Sequence, residues 1–161
     1  MGAERELIAL RRTRGCRCFG AWIDGVLVGY GWLSTQPEWI GEEQVVIRPR
    51  PGEGYIWNCM TVPEHRRKGV FRAILAGITN VARSEGMNRL WLGTIAIPAE
   101  KAVGPSGFRP AIHTAGLRFA GFQVTRAWAA PGASPSLIRD ASDVLSSRPG
   151  WHLLRTQHRR H

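Results

Sequence analysis

The amino-acid sequence predicts a mixed α/β (α+β) domain, with a twisted, mostly antiparallel sheet of about five to seven strands around one central β-α-β unit and flanking helices. Three observations carry this expectation. Residues 16–34, CRCFGAWIDGVLVGYGWLS, hold two apolar runs around Asp24-Gly25, a dipeptide suited to the positive-φ positions of a tight hairpin turn. Residues 55–62, YIWNCMTV, are apolar on both faces, as a buried central strand requires. Val70, Phe71, Ile74, Leu75, Ile78, Val81 and Ala82 then recur at helical spacing over residues 70–85, and a second buried run, residues 90–97, follows closely. That order is the pattern of a parallel crossover.

Taken in order, the hairpin strands are expected at 17–23 and 26–34. Residues 35–54 are broken by Pro37, Pro49 and Pro51, with a short strand at 44–48 extending the sheet. Pro63 ends the central strand, and Gly86 stands where a left-handed helix cap belongs. Residues 99–109 read as a loop and 110–120 as a short helix, with Pro110 in its first turn and Gly121 closing it. A strand at 122–129, a helix at 135–146 and a last strand in WHLLRT complete the chain, with a frayed basic end at 157–161. The expected organisation is a lead-in over 1–16, a principal domain over 17–130 and an extension over 131–161.

The chain has 161 residues, is 43% hydrophobic and 21% charged, and so has the composition of one globular domain. No apolar run approaches the roughly 18–20 residues that span a bilayer. The first residues, MGAERELIALRR, include acidic groups and no apolar signal core, so a secretory signal is not expected. Three cysteines without a second C-x-x-C or a suitably spaced His argue against a metal site and for small buried residues in a reducing cytoplasm. The balance of 22 Lys plus Arg against 12 Asp plus Glu, net +10, favours anionic partners but marks no site.

The charge concentrates once, in TVPEHRRKGVFRAIL at residues 61–75, where Arg66, Arg67, Lys68 and Gly69 precede a helix. A helix start leaves backbone N–H groups unpaired and carries the positive end of the dipole, and a glycine lets a phosphate approach. A solvated basic turn is the plain alternative, and no Walker G-x-x-x-x-G-K-[ST] is present.

The stretch V-P-E-H-R-R-K-G-V-F-R-A-I-L closely resembles motif A of the GNAT superfamily of acyl-CoA-dependent N-acyltransferases. IDGVLVGYGWLS is similar to that family's second and third strands, LWLGTI to its fifth, and Ala120-Gly121-Phe122 to the turn closing its fourth helix. All four landmarks occur in the family's order. The resemblance implies acetyl-CoA or another acyl-CoA as co-substrate, with no metal. It implies backbone contacts to the pantetheine arm at Met60, Thr61 and Val62, and a pyrophosphate grip at Arg66, Arg67, Lys68, Gly69, Val70, Phe71 and Arg72. Phe71 stands where the family's second small residue is usual, and its ring is expected to narrow the channel.

The chemistry departs further from the family. Its usual strand Glu falls on Gly93, its usual Tyr on Leu117, and the Asn that opens its fourth helix on Pro98 or Pro110. Substitute catalytic candidates are Tyr55, Asn58, which shares strand parity with Met60 and Val62, and His113, whose intrinsic pKa suits proton transfer. Glu53 is a weaker one. Their plain readings are a core aromatic, a satisfied amide and, for His113 and Glu53, solvated surface. His65 reads as a spacer. Sixteen residues precede Arg17, where the family normally has a strand and two helices, so the acceptor wall is expected from residues 35–54, the tail or a partner subunit.

The leading expectation is a cytoplasmic N-acyltransferase acting on an amine-bearing acceptor, a small molecule or a protein, with an acidic acceptor suiting the charge and a homodimer compatible with the short N-terminus. The missing Glu and Tyr favour, as the alternative, an acyl-CoA-binding module of weak turnover. Nucleic-acid binding rests on net charge alone and is disfavoured, since no known nucleic-acid signature is present.

Overall fold

The computed structural model describes residues 2–41, 45–94, 101–120 and 122–155. In chain order its elements begin with α1 (Gly2–Thr13), β1 (Arg17–Ile23), β2 (Val26–Ser34), β3 (Glu38–Ile40), β4 (Val45–Ile47) and β5 (Glu53–Thr61). They continue with α2 (Val70–Ser84), β6 (Arg89–Leu92), β7 (Ile112–Phe119), β8 (Phe122–Ala129), α3 (Pro135–Val144) and β9 (Gly150–Arg155). The chain forms two compact units, Met1–Gln36 with Pro49–Arg109, and Pro37–Arg48 with Pro110–His161.

The first unit holds the expected β-α-β crossover. Its sheet has the order β1-β2-β5-β6, antiparallel except for the parallel β5–β6 pair joined through α2. The hairpin turns at Asp24 and Gly25, both at positive φ, as the dipeptide predicts. Val70, Ile74, Leu75 and Ile78 form the buried stripe of α2 and pack with Val28, Leu33 and Ile56 from the sheet. The helix lies close because β2 offers glycine there: a Cβ on Gly31 would stand 2.8 Å from Cys59 Sγ and 2.9 Å from Ile74 Cγ2. Gly86 ends the helix at φ +76°, its N–H donating to Arg83 O and that of Met87 to Ala82 O.

The opposite face of the sheet carries Trp32 and Trp57, 6.2 Å apart between ring centroids. Arg11, from a helix the sequence reading did not anticipate, lies over both, 5.0 Å from the Trp32 ring and 4.5 Å from the Trp57 ring.

The second unit contains the β3–β4 hairpin, the antiparallel sheet β7-β8-β9 and α3, which Ser134 caps by accepting from the Leu137 N–H. Arg48 N–H donates to Val144 O at 2.7 Å, tying β4's end to the end of α3. Two expectations are corrected here. The short strand near 44–48 does not extend the main sheet but pairs with β3, the strand next to it in sequence, in a separate two-stranded sheet. Residues 110–120 do not form a helix. From Ile112 to Phe119 they are β7, in unbroken register with β8. Only a proline start and a glycine stop supported the helical reading, and Gly116 in a helix interior would cost about 1 kcal/mol. Ala120 at φ +47° turns the chain back into β8. Residues 95–97 of the expected strand after α2, Gly121 and the basic end at 157–161 lie outside the described residues.

Candidate functional site

The site is built where β5 outruns β6. β5 and β6 pair from Glu53↔Arg89 to Ile56↔Leu92, where β6 ends, while β5 continues to Thr61. From Trp57 onward that edge of β5 has no parallel partner in β6.

A bulge lies at this point. Trp32 faces Trp57 and Tyr30 faces Met60, so Asn58 and Cys59 together stand opposite Gly31. Asn58 adopts φ +44°, the left-handed conformation that asparagine tolerates better than most residues. The extra residue bends the strand and breaks its alternation. The expected shared parity of Asn58 with Met60 and Val62 is therefore corrected. Cys59 packs against the α2 core, whereas Met60 is 45% exposed. Burial pushes the Cys59 thiol up to about 12, against a smaller lowering by a backbone hydrogen bond from Trp32, so it stays protonated at neutral pH.

The basic turn follows directly. Val62 N–H donates to Val28 O at 3.0 Å, holding the strand end in the sheet, and Pro63–His65 form one 3₁₀ turn. Arg66 Nε donates to Thr61 O at 3.2 Å, so this arginine braces the turn against the end of β5. Arg67 at φ +60° and Gly69 at φ +83° are both left-handed, the kind of dihedral from which anion-receiving backbone turns are built. α2 starts without a side-chain cap and without an acidic residue in its first turn. Its first ladder bond is Ala73 N–H to Gly69 O, and the amides of residues 67–72 have no partner among the described residues. Around them Arg67, Lys68 and Arg72 are exposed and form no ion pair there. A Cβ on Gly69 would meet nothing within 4 Å, so the concavity is open. Two buried side-chain atoms of the region also lack a partner, Trp57 Nε1 beside the bulge and His65 Nδ1 in the turn.

Such a turn suits a diphosphate: unpaired N–H groups, the helix dipole and three cations all favour negative charge. The freed edge of β5 suits an extended chain carrying amides. Phe71 is half-buried and packs against the core cluster beneath the turn.

The catalytic candidates fare differently. Tyr55, 2% exposed, lies on the fully paired half of β5 and is not free of polar interaction. Glu53 is not solvated surface: it is 6% exposed, accepts from Trp91 Nε1 at 2.9 Å and faces Arg89 at 3.7 Å. Its carboxylate is a structural group. His113 is on β7 of the second unit, its ring 5.9 Å from that of Trp128, and not in a helix. Leu117, also on β7, is 80% exposed, and Gly93 directly follows β6. Asn58 alone of the candidates stands at the splayed part of the strand.

Sequence reasoning missed the Arg11–tryptophan stack, the bracing by Arg66 and the bulge. A polar Asn58 inside an apolar run was the one available signal for the last. Of the cysteines only Cys16 is buried, while Cys18 is exposed. Cys18 lines a cavity of about 490 Å³ at the start of β1 with Arg12, Cys16, Arg17 and Val81. Arg17 there is committed to Glu85 at 2.6 Å and burial raises the Cys18 pKa, so the cavity holds no activated nucleophile. Among the described residues no cluster of three His, Cys, Asp or Glu could hold a metal, and no helix is long and apolar enough to cross a membrane.

A β-α-β unit whose first strand runs past its parallel neighbour into a basic turn and an uncapped helix start is the class of fold these residues define. The family model of the acetyltransferase (GNAT) family matches residues 2–104, and the chain belongs to that family. Among solved structures it is similar to a ribosomal-protein-alanine N-acetyltransferase from Brucella melitensis, at 20% identity and TM-score 0.53, over 71% of this chain and 66% of that one. It is also similar to an IAA acetyltransferase from Bacillus cereus ATCC 14579, at 22% identity and TM-score 0.52, over 66% and 64%. The aminoglycoside N-acetyltransferase AAC(6')-Iy in complex with CoA shares 17% identity at TM-score 0.50, over 65% and 79%. These likenesses are of fold. No curated protein matches the sequence at a significant level.

Proposed function

We propose that this chain is an N-acyltransferase that moves an acetyl group from acetyl-CoA to an amine. The observation that carries the reading is that β5 outruns β6 immediately before a turn whose amides, residues 67–72, have no partner among the described residues. The pyrophosphate is received by those amides, with Arg67, Lys68 and Arg72 lending charge. The pantetheine arm lies along the freed edge of β5 at Met60, Thr61 and Val62. The Val62 N–H is already committed to β2 and the Thr61 carbonyl to Arg66, so Met60 carries the larger share of that contact.

In the reaction the amine nitrogen attacks the thioester carbonyl carbon, a C–N bond forms and the C–S bond breaks. The proton shed by nitrogen passes through water to the departing thiolate. The chain contributes alignment above all. With Glu53 and Tyr55 buried in the paired half of β5, no side-chain base is committed past the end of β6 among the described residues, and Asn58 orients the reacting groups. Acyl-CoA binding with weak turnover is the second reading, favoured by that same burial.

Calorimetric titration with CoA and thiol release across a panel of amines test both. Gly69→Glu puts a carboxylate into the open concavity and is expected to weaken CoA binding at least about 100-fold while α2 remains helical. Equal binding by that variant removes the phosphate-socket reading. Tight CoA binding with no thiol release above background for any amine selects the second.

A further inference from the structure

Among the described residues, one face of the sheet β7-β8-β9 is exposed at many large apolar groups. The register aligns Phe119 with Phe122, Leu117 with Val124 and Leu153, Arg126 with Trp151, and His113 with Trp128. Side chains at these paired positions share one face. The exposed members are Leu117 (80%), Phe119 (84%), Phe122 (47%), Val124 (41%), Trp128 (39%), Trp151 (72%) and Leu153 (69%). Arg126 lies 5.8 Å from the Trp128 ring and 5.6 Å from the Trp151 ring, so its guanidinium is held between two π systems, and Arg155, paired with Phe122, stands at the other end of the face by register. The other face is smaller and more polar, with Thr114, Gly116, Gln123, Thr125 and Ala127.

We propose that this face is a self-association surface that pairs with the same face of a second copy of the chain. The area decides for such a partner. With about 200 Å² for a whole aromatic side chain and roughly half that for an aliphatic one, the exposed fractions leave about 700 Å² of apolar surface. That exceeds the roughly 300–600 Å² patch of an ordinary monomer and approaches the about 800 Å² per partner of a stable interface. The face is also self-complementary under a two-fold axis. An axis near the row Leu117–Val124–Leu153 lays the phenylalanine end of one copy on the Arg126 end of the other, where further π faces receive the cation. Two antiparallel sheets so stacked pack at the usual spacing of about 10 Å.

Sedimentation of the full chain from 1 to 100 µM tests this, with Leu153→Glu and Trp151→Glu as variants on exposed positions of the edge strand β9. The wild type is expected to approach twice 17.9 kDa with rising concentration. Each variant is expected to stay monomeric, with an unchanged circular dichroism spectrum, and raising sulfate concentration is expected to strengthen the wild-type dimer. A wild type that remains a 17.9 kDa species at 100 µM overturns the proposal without reference to any variant. A dimer that survives both substitutions overturns it too, as does a heavier species that carries 260 nm absorbance and falls apart in 1 M sodium chloride, the mark of nucleic acid.

Discussion

The two halves of β5 are one strand in two environments. Glu53 to Ile56 is paired to β6 and buried, with Tyr55 and Ile56 paired to β2 as well, whereas Trp57 to Thr61 is paired to β2 alone and includes Met60, 45% exposed. A single bulge at Asn58 separates them. The first half is held by β6 and enclosed in the core, so it supports. The second has an edge to offer, so a ligand can complete it. The difference shows that stability and binding are divided within a few residues of the same strand, by where the neighbouring strand stops.

Substitutions along β5 are expected to separate those two roles. The largest effect is on the closed half: Ile56→Ala, at a fully buried position, should cost about 2–5 kcal/mol in a urea melt, with little change in CoA affinity for the folded fraction. A cost under 0.5 kcal/mol would mean the closed half is not the rigid support described.

At the boundary, Asn58→Val should cost about 1–2 kcal/mol, because a β-branched residue resists the left-handed conformation, whereas Asn58→Gly should be close to neutral. If the bulge opens the strand edge, Asn58→Val also raises KM for acetyl-CoA and Asn58→Gly does not. Equal KM values would detach the bulge from binding.

Cys59 gives a pH-dependent probe just past the bulge. Its folded pKa of about 12 lies above its ordinary 9.0, so its contribution is fully present below pH 9 and is lost as pH rises toward 12. The stability advantage of wild type over Cys59→Ala should therefore shrink by about 1 kcal/mol per pH unit above 9. A constant difference would place the thiol in water.

The smallest stability effect belongs to the open half. Met60→Ala should change stability by under about 0.5 kcal/mol, yet weaken CoA binding measurably if the arm runs along this edge. Loss of stability comparable with Ile56→Ala would erase the distinction between the halves.

Much of the architecture was legible in local signals. Asp24-Gly25 announced the hairpin, the spacing from Val70 to Ala82 announced α2, and Gly86 its end. Each of these is set by residues within a few positions of one another. The segment around Leu117 was not legible, because a proline and a glycine bracket a strand as readily as a helix. Only pairing with β8, which lies beyond the turn at Ala120, decided between them. Glu53 looked like surface because its partners, Trp91 and Arg89, are distant in sequence.

By itself the sequence determined the β-α-β unit and its basic, acid-free helix start, since a helix start after a buried strand, with Gly69 and no acidic residue in its first turn, is a local matter of dihedrals and dipoles. Tertiary structure alone decided that β6 stops at Leu92 while β5 runs on, that Asn58 bends it, and that Glu53 and Tyr55 are enclosed. Those outcomes depend on which strand meets which and where the pairing ends, a property of registers between segments that no single segment contains.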